Sequence, residues 1–245
     1  LVHPLPREKK FCGDKDALTR LACTLSSCWI CSSPHEHHFK WMFETLAYGF
    51  HQGAVAHFLA RLNACFMQLI GEPRMKIDWD IEIATSDGSV LRADIFRPDG
   101  EGPFPVLMSC GPYAKGLHFG EGFPMQWKGL TSDYPEVLRG STGRYANWET
   151  VDPERWVPFG YVCVRVDSRG AGRSPGVIDC WSTREIDDFC ECIEWAATQP
   201  WSNGKIGLAG VSYYASTQWQ VAARRPRHLA AICPFEGYTD MYRDA

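Results

Sequence analysis

The chain has 245 residues, enough to bury one large hydrophobic core or two modest ones. Its apolar fraction of 45% and charged fraction of 22% are ordinary for a globular protein. The net charge of −4 gives no reason to expect nucleic acid or an anionic membrane as a partner, and no apolar run is long and uncharged enough to span a bilayer.

Eleven cysteines are many for this length, but their odd number and irregular spacing do not describe a disulfide framework. Cys110, Cys163 and Cys233 lie in apolar, strand-like runs, where a thiol serves as a small core side chain. This usage favours a reduced, cytoplasmic setting. The chain starts at Leu1 rather than Met, which is typical of a fragment or a processed product.

Residues 1–73 differ in character from the rest, with six of the eight histidines and five of the eleven cysteines. Their pattern is irregular and predicts an N-terminal extension that is helical or poorly ordered. One cluster has spacings that occur in metal and iron–sulfur sites: Cys23, Cys28, Cys31, His35, His37 and His38. The surrounding sequence lacks other support for a metal, so we predict chance clustering and no metal site.

From residue 75 the pattern becomes regular, and we predict a second unit over residues 74–245. Residues 76–85 alternate in polarity, which predicts a half-buried strand. Its apolar positions are Ile77, Trp79, Ile81 and Ile83. Asp87 and Gly88 are a hairpin turn signal, and the return strand follows at 90–96. The short apolar run at 105–110 is typical of a strand buried on both faces.

Residues 111–158 are rich in Gly, Pro, Trp and Tyr and show little periodicity. We predict a long excursion from the sheet here, and long ordered loops are usually functional. Its tryptophans, Trp127, Trp148 and Trp156, leave two interpretations open. They line a substrate pocket, or they pack as an aromatic core.

Strand and helix patterns then alternate up to residue 233. Strands are predicted at 161–166, 205–211 and 229–233, and a helix at 213–224. Ser182 and Glu185 fit a capping box that starts another helix, which Pro200 ends. This order predicts the α/β fold class, with parallel strands joined by right-handed crossovers.

The strand at 205–211 ends at a serine that immediately precedes a helix. This is the layout of a nucleophile elbow, the sharp turn that raises a serine hydroxyl above a parallel sheet. Ser212 would stand at the positive end of the helix dipole, and the Tyr213 backbone N–H would stabilise a tetrahedral oxyanion. The alternative is a serine that caps an ordinary turn between strand and helix.

The sequence GVSYYA at 210–215, followed by TQW at 217–219, resembles the elbow of the Xaa-Pro dipeptidyl-peptidase/cocaine-esterase (CocE/NonD) hydrolases. Three further stretches resemble family motifs in the same order. They are TSDG at 85–88 with LRAD at 91–94, DSRGAGRS at 167–174, and PWSNGK at 200–205. The resemblance covers residues 75–245, whereas residues 1–73 show no match.

The resemblance implies an α/β-hydrolase-type sheet that starts with an antiparallel hairpin and continues with parallel strands and crossover helices. It implies a serine hydrolase that cleaves an ester or amide, in a small molecule or a peptide, through an acyl-enzyme at Ser212. The oxyanion hole would combine the Tyr213 N–H with the Tyr113 hydroxyl, and no metal or organic cofactor would be needed. The resemblance leaves a homo-oligomer open.

The loop that starts at Asp167 is interpreted as architectural, with Arg169 tying down neighbouring loops. Asp167 as the triad acid is a lesser alternative.

The family places an Asp and then a His downstream of the nucleophile, and here the sequence departs from it. His228 precedes the strand at 229–233, at the wrong end of the sheet to reach the serine, and nothing brings His118 to the serine. Asp240 and Asp244 fall where a helical cap would begin. The resemblance therefore implies a truncated catalytic domain without cap, jelly roll, triad Asp or triad His. The alternative is a non-catalytic fragment, a pseudoenzyme or an interaction module.

Overall fold

The computed structural model of the chain describes residues 75–244, which form one mixed sheet with helices packed on it. The predicted extension over residues 1–73 lies outside the described residues. The six strands are β1 (Met75–Ala84), β2 (Val90–Pro98), β3 (Phe104–Gly111), β4 (Val162–Asp167), β5 (Ser202–Val211) and β6 (Leu229–Phe235). Their order across the sheet is β1-β2-β4-β3-β5-β6. β2 is antiparallel to both neighbours and the other pairs are parallel, so the predicted hairpin start and parallel continuation are confirmed.

The first strand does not keep the strict alternation predicted for it. Its register against β2 shifts between Asp78 and Ile81. A bulge of this kind inserts an extra residue and moves the side chains that follow to the other face. Ile77 therefore packs against one hydrophobic cluster and Ile83 is buried in another, while Trp79, expected among the buried positions, is 53% exposed.

The two faces of the sheet carry separate hydrophobic clusters. In β4, Val162, Val164 and Val166 belong to the larger cluster, whereas Cys163 between them belongs to the smaller one. This follows from the two-residue period of a strand, which turns successive side chains to opposite faces. The buried strand predicted for 161–166 is therefore covered on both sides, and even its Arg165 is only 4% exposed.

The described helices are α1 (Phe119–Gly122), α2 (Pro124–Asp133), α3 (Pro153–Trp156), α4 (Thr183–Ala197), α5 (Tyr213–Arg224) and α6 (Met241–Asp244). The bounds predicted for α5 are confirmed. Two short 3₁₀ turns, Pro135–Leu138 and Val157–Phe159, lie with α1, α2 and α3 in the excursion, where no helix was predicted. These elements are brief and begin at local signals, such as a proline in the first turn, rather than at a hydrophobic period.

The loop after β4 fastens three parts of the fold together, as predicted. Arg169 donates to Asp188 of α4 at 2.8 Å and pairs with Asp87 of the β1–β2 turn at 3.0 Å. Asp167 is only 1% exposed, and its carboxylate accepts a hydrogen bond from the Lys115 backbone N–H at 2.6 Å. Burial raises the pKa of Asp167, and backbone N–H donors oppose that shift. Its carboxylate is thus engaged in holding the loops after β3 and β4.

Gly170 in this loop lies close to the backbone of a neighbouring segment. Its φ is 77°, and a Cβ there would lie 2.4 Å from the backbone nitrogen of Ile178. Gly88 in the hairpin turn has a φ of 86°, but a Cβ there would meet nothing within 4 Å. The two glycines therefore separate conformational strain from a collision with backbone atoms.

We expect Gly88→Ala to lower the free energy of unfolding by about 1 kcal/mol, the ordinary strain of a left-handed residue with a Cβ. Gly170→Ala adds a clash with peptide atoms and should cost more than about 3 kcal/mol. Urea unfolding of the full chain, followed by circular dichroism, measures both variants. Equal losses for the two substitutions would contradict this account of the loop.

Candidate active site

Ser212 joins β5 to α5 through a strained backbone. Its φ is 56° and its ψ is −111°, a conformation that costs a residue with a Cβ about 1–3 kcal/mol. The Ser212 N–H donates to the Phe235 carbonyl at 2.9 Å, and the Ser212 carbonyl accepts from the Ser216 N–H at 2.9 Å and from the Ser216 hydroxyl at 3.0 Å. These bonds to β6 and to α5 fix the serine at the carboxyl end of β5.

Small residues allow this turn to close. A Cβ on Gly210 would lie 2.3 Å from the Tyr214 Cβ and 3.3 Å from the Glu149 carbonyl oxygen. A Cβ on Gly237 would lie 2.6 Å from the Ala215 Cβ. A larger side chain at either glycine would push helix and strand apart. This packing, together with the strained serine between strand and helix, is the geometry of a nucleophile elbow.

Tyr213 supplies the first backbone N–H after the serine and anchors its own side chain in the protein interior. The residue is 4% exposed, and its hydroxyl donates to the Glu185 carboxylate at 2.5 Å. Burial, followed by the hydrogen bond to Glu185, raises the pKa of the Tyr213 phenol well above its usual range. The phenol is thus uncharged at neutral pH and anchors the side chain through its hydrogen bond to Glu185. The backbone N–H of Tyr213 lies at the start of α5.

Tyr113 follows the carboxyl end of β3 and reaches the elbow from the side. Its ring centroid lies 5.9 Å from that of Tyr213 and 5.7 Å from that of Tyr214, both edge to face. Burial, and then the charge of Glu149, raise the pKa of the Tyr113 phenol, which keeps it in the donor form. The structure therefore places the ring of Tyr113 against that of Tyr213, the residue after Ser212, although the two tyrosines are a hundred residues apart in the sequence.

Glu149 also lies at the elbow, and sequence reasoning missed it. Its carbonyl accepts from the Val211 N–H at 3.1 Å, and its own φ is 58°. Burial raises the pKa of its carboxyl, while hydrogen bonding to the Trp148 side chain, the Tyr213 N–H and the Ser212 hydroxyl opposes that shift. Its Oε2 atom is buried and has no hydrogen-bond partner among the described residues. The only signal in the sequence was its place in a long excursion.

The two histidines among residues 75–244 are engaged elsewhere. His118 caps α1, where Nδ1 accepts from the Gly120 N–H at 3.0 Å, and its Nε2 lies 3.0 Å from the Gly143 carbonyl. His228 precedes β6, and its Nδ1 lies 2.6 Å from the Glu194 carboxylate. Neither contacts Ser212. Among the described residues, no histidine therefore lies beside the three residues predicted for the site, Ser212, Tyr213 and Tyr113.

Residues of the excursion, Phe119 and Trp127 among them, line an open cavity of about 430 Å³. The predicted tryptophans divide between the two interpretations. Trp127 lines the cavity together with Glu149, Trp148 stacks on Phe123 with centroids 4.0 Å apart, and Trp156 packs on the edge of Tyr161. Glu149 lies both on this cavity and beside the elbow, whereas Ser212, Tyr113 and Tyr213 do not line the cavity.

Within the described part of the chain, no group of three or more His, Cys, Asp or Glu side chains is arranged to hold a metal ion. The cysteine and histidine cluster that begins at Cys23 lies outside that part. Among residues 75–244, every helix is too short or too polar to cross a membrane.

The sequence profile of the X-Pro dipeptidyl-peptidase (S15 family) matches residues 87–245. The cocaine esterase of Rhodococcus sp. (strain MB1 Bresler) is 30% identical over 167 residues, which are 67% of this chain and 24% of that protein. A crystal structure of a CocE/NonD family hydrolase from Staphylococcus aureus aligns with a TM-score of 0.59 at 44% identity, over 69% of this chain and 29% of that one. The chain thus spans about a quarter of the length of the curated relative.

These similarities agree with the order of the strands and with the elbow. The α/β-hydrolase fold is confirmed by the aligned crystal structure. Because the profile covers well over half of the sequence, the chain belongs to the X-Pro dipeptidyl-peptidase (S15) family of hydrolases.

Proposed function

We propose that the protein is a serine hydrolase that cleaves an ester or amide, in a small molecule or a peptide, through an acyl-enzyme at Ser212. The observation that carries this proposal is the strained serine at the end of β5, with Tyr213 and Tyr113 beside it. An ordinary helix cap needs neither the strain nor a tyrosine ring packed against the residue that follows it. Family membership supports the reaction class.

In this reaction the Ser212 oxygen attacks the carbonyl carbon and gives up its proton to a base. The carbonyl oxygen becomes an oxyanion, which accepts hydrogen bonds from the Tyr213 N–H and the Tyr113 hydroxyl. Collapse of the tetrahedral intermediate breaks the bond to the leaving group, which takes the proton. Water then attacks the acyl-enzyme by the same route, releases the acid and restores the Ser212 hydroxyl.

The base and the acid that orients it come, in this proposal, from residues outside the described part of the chain. His118 and His228 are held by Gly143 and Glu194, away from the nucleophile. A serine hydroxyl without a base is a weak nucleophile, so the described residues alone supply binding of the oxyanion but not proton transfer. A non-catalytic role for the protein is the alternative that the first experiment below decides.

We expect Ser212→Ala in the full-length protein to abolish labelling by a fluorophosphonate probe and to remove esterase activity. The probe bonds covalently to an activated serine oxygen, and alanine has none. Ser132→Ala, on the exposed surface of α2, is the matched control and should label like the wild type. Full labelling of Ser212→Ala would overturn the nucleophile, and an unlabelled wild type would favour the non-catalytic alternative.

Tyr113→Phe removes a single hydroxyl and leaves the ring contacts with Tyr213 and Tyr214 in place. Loss of one oxyanion donor should lower kcat about 100- to 1,000-fold, with little change in KM. Steady-state kinetics on an activated ester measures this. Tyr134→Phe, at a tyrosine that is 58% exposed, should leave kcat unchanged. A rise in KM at constant kcat would show instead that Tyr113 binds the substrate's ground state.

We expect the ionisation of Glu149 to make kcat/KM depend on pH. Burial raises its pKa, so the carboxyl ionises at a higher pH than an ordinary Glu, and its negative charge then opposes the oxyanion. The ratio of kcat/KM for Glu149→Gln to that for wild type should therefore increase with pH, by about tenfold, and level off once Glu149 is ionised. Titration of the catalytic base cancels in this ratio. The exposed Glu121→Gln should give a ratio near one throughout, and a flat ratio for Glu149→Gln would contradict the prediction.

A further inference from the structure

Glu185 does more than the capping role that the sequence predicts for it. Its backbone N–H donates to the Ser182 hydroxyl at 3.1 Å, which caps α4. Its carboxylate, however, accepts from the Trp181 N–H at 2.8 Å rather than from the N–H of Ser182. The side chain is thus turned inward, and the residue is only 7% exposed.

The inward turn brings the same carboxylate oxygen to the elbow. Oε2 of Glu185 accepts the Tyr213 hydroxyl at 2.5 Å, and the Tyr213 ring lies 4.6 Å from the ring of Trp181. The amino-terminal ends of α4 and α5 are therefore tied through one buried oxygen. This bond spans 28 residues of sequence and links the loop after β4 to the turn that carries Ser212.

The hydrogen bond between Tyr213 and Glu185 lies next to the strained serine. Tyr213 is the first residue of α5 and directly follows Ser212, whose φ of 56° persists only if surrounding contacts enforce it. An anchored phenol limits how far Tyr213 can rotate, and hence where its backbone N–H points. The same ring lies edge to face with Tyr113, the other proposed donor. Both halves of the oxyanion hole thus rest on one side chain.

We propose that Glu185 is a positioning residue for the oxyanion hole, acting through its hydrogen bond to the Tyr213 hydroxyl. The inference rests on the proposed hydrolase function of Ser212. It assigns a specific task to a residue that does not touch the substrate: it holds the Tyr213 N–H and the Tyr113 ring in the arrangement that the transition state needs.

The chemistry of the contacts shows that geometry, rather than charge, is what Glu185 contributes. Its hydrogen-bond donors are the Tyr213 hydroxyl, the Trp181 N–H and the Ser168 hydroxyl, all of them neutral. A glutamine can accept from Tyr213 and Trp181 through its carbonyl oxygen, and its amide can donate to Ser168. Glu185→Gln should therefore retain the positioning, whereas Glu185→Ala should lose it.

The test compares kcat and KM of full-length variants on an activated ester. Glu185→Ala and Tyr213→Phe should each lower kcat by about 10- to 100-fold with KM nearly unchanged, because the hydrogen bond serves the transition state. The double variant should be no slower than either single one, since both remove the same bond. Glu185→Gln should keep kcat within about threefold of wild type. Glu194→Ala, whose carboxylate binds His228 further along α4, is the matched control and should leave kcat unchanged.

Tyr213→Phe keeps the result interpretable if Glu185→Ala fails to fold, because it leaves the cap of α4 intact. Melting temperatures separate lost stability from lost catalysis. Unchanged kcat in Tyr213→Phe, multiplied effects in the double variant, or a Glu185→Gln as slow as Glu185→Ala would overturn the proposal. Activity that survives in Ser212→Ala would instead overturn the proposed function, so the two failures are distinguishable.

Discussion

A single strained residue organises this part of the protein. Ser212 keeps a φ of 56°, which costs about 1–3 kcal/mol and is held only by contacts from several directions. The Phe235 carbonyl accepts from the Ser212 N–H, and the Glu149 carbonyl accepts from the N–H of the preceding residue, Val211. The following residue, Tyr213, is anchored to α4 through its hydroxyl. β6, the excursion and α4 thus all converge on one peptide.

The charges around this peptide set a second constraint. Burial raises the pKa of the Glu149 carboxyl, and repulsion between Glu149 and Glu236 adds to that shift. An oxyanion that forms beside Ser212 adds a third negative charge unless Glu149 is neutral. The desolvation that raises its pKa therefore favours the protonation state that the reaction tolerates. Burial also raises the pKa of the Tyr113 phenol, and the charge of Glu149 adds to that shift at the pH values at which Glu149 is ionised.

The sequence predicted those features that depend on local pattern and missed those that depend on distant contacts. The hairpin, the elbow and the bounds of α5 follow from residue periods and glycine positions, and all are found in the structure. The bulge between Asp78 and Ile81 breaks the period of β1 because the strand serves both hydrophobic clusters, which no local pattern reveals. Glu149 and the inward turn of Glu185 escaped for a similar reason. The contacts that bring them to the elbow join residues at least 28 positions apart in the sequence.

The direction of the strands limits where the base of the proposed reaction at Ser212 can lie. In a parallel sheet the carboxyl ends share one edge. Asp167 ends β4 at that edge, and Tyr113 and Ser212 follow β3 and β5 there. His228 precedes its strand and so lies at the opposite edge, about a strand length from the serine. Asp167, although at the right edge, is committed to the Lys115 N–H. In the proposed reaction, a base that serves Ser212 must therefore approach over the carboxyl edge of the sheet.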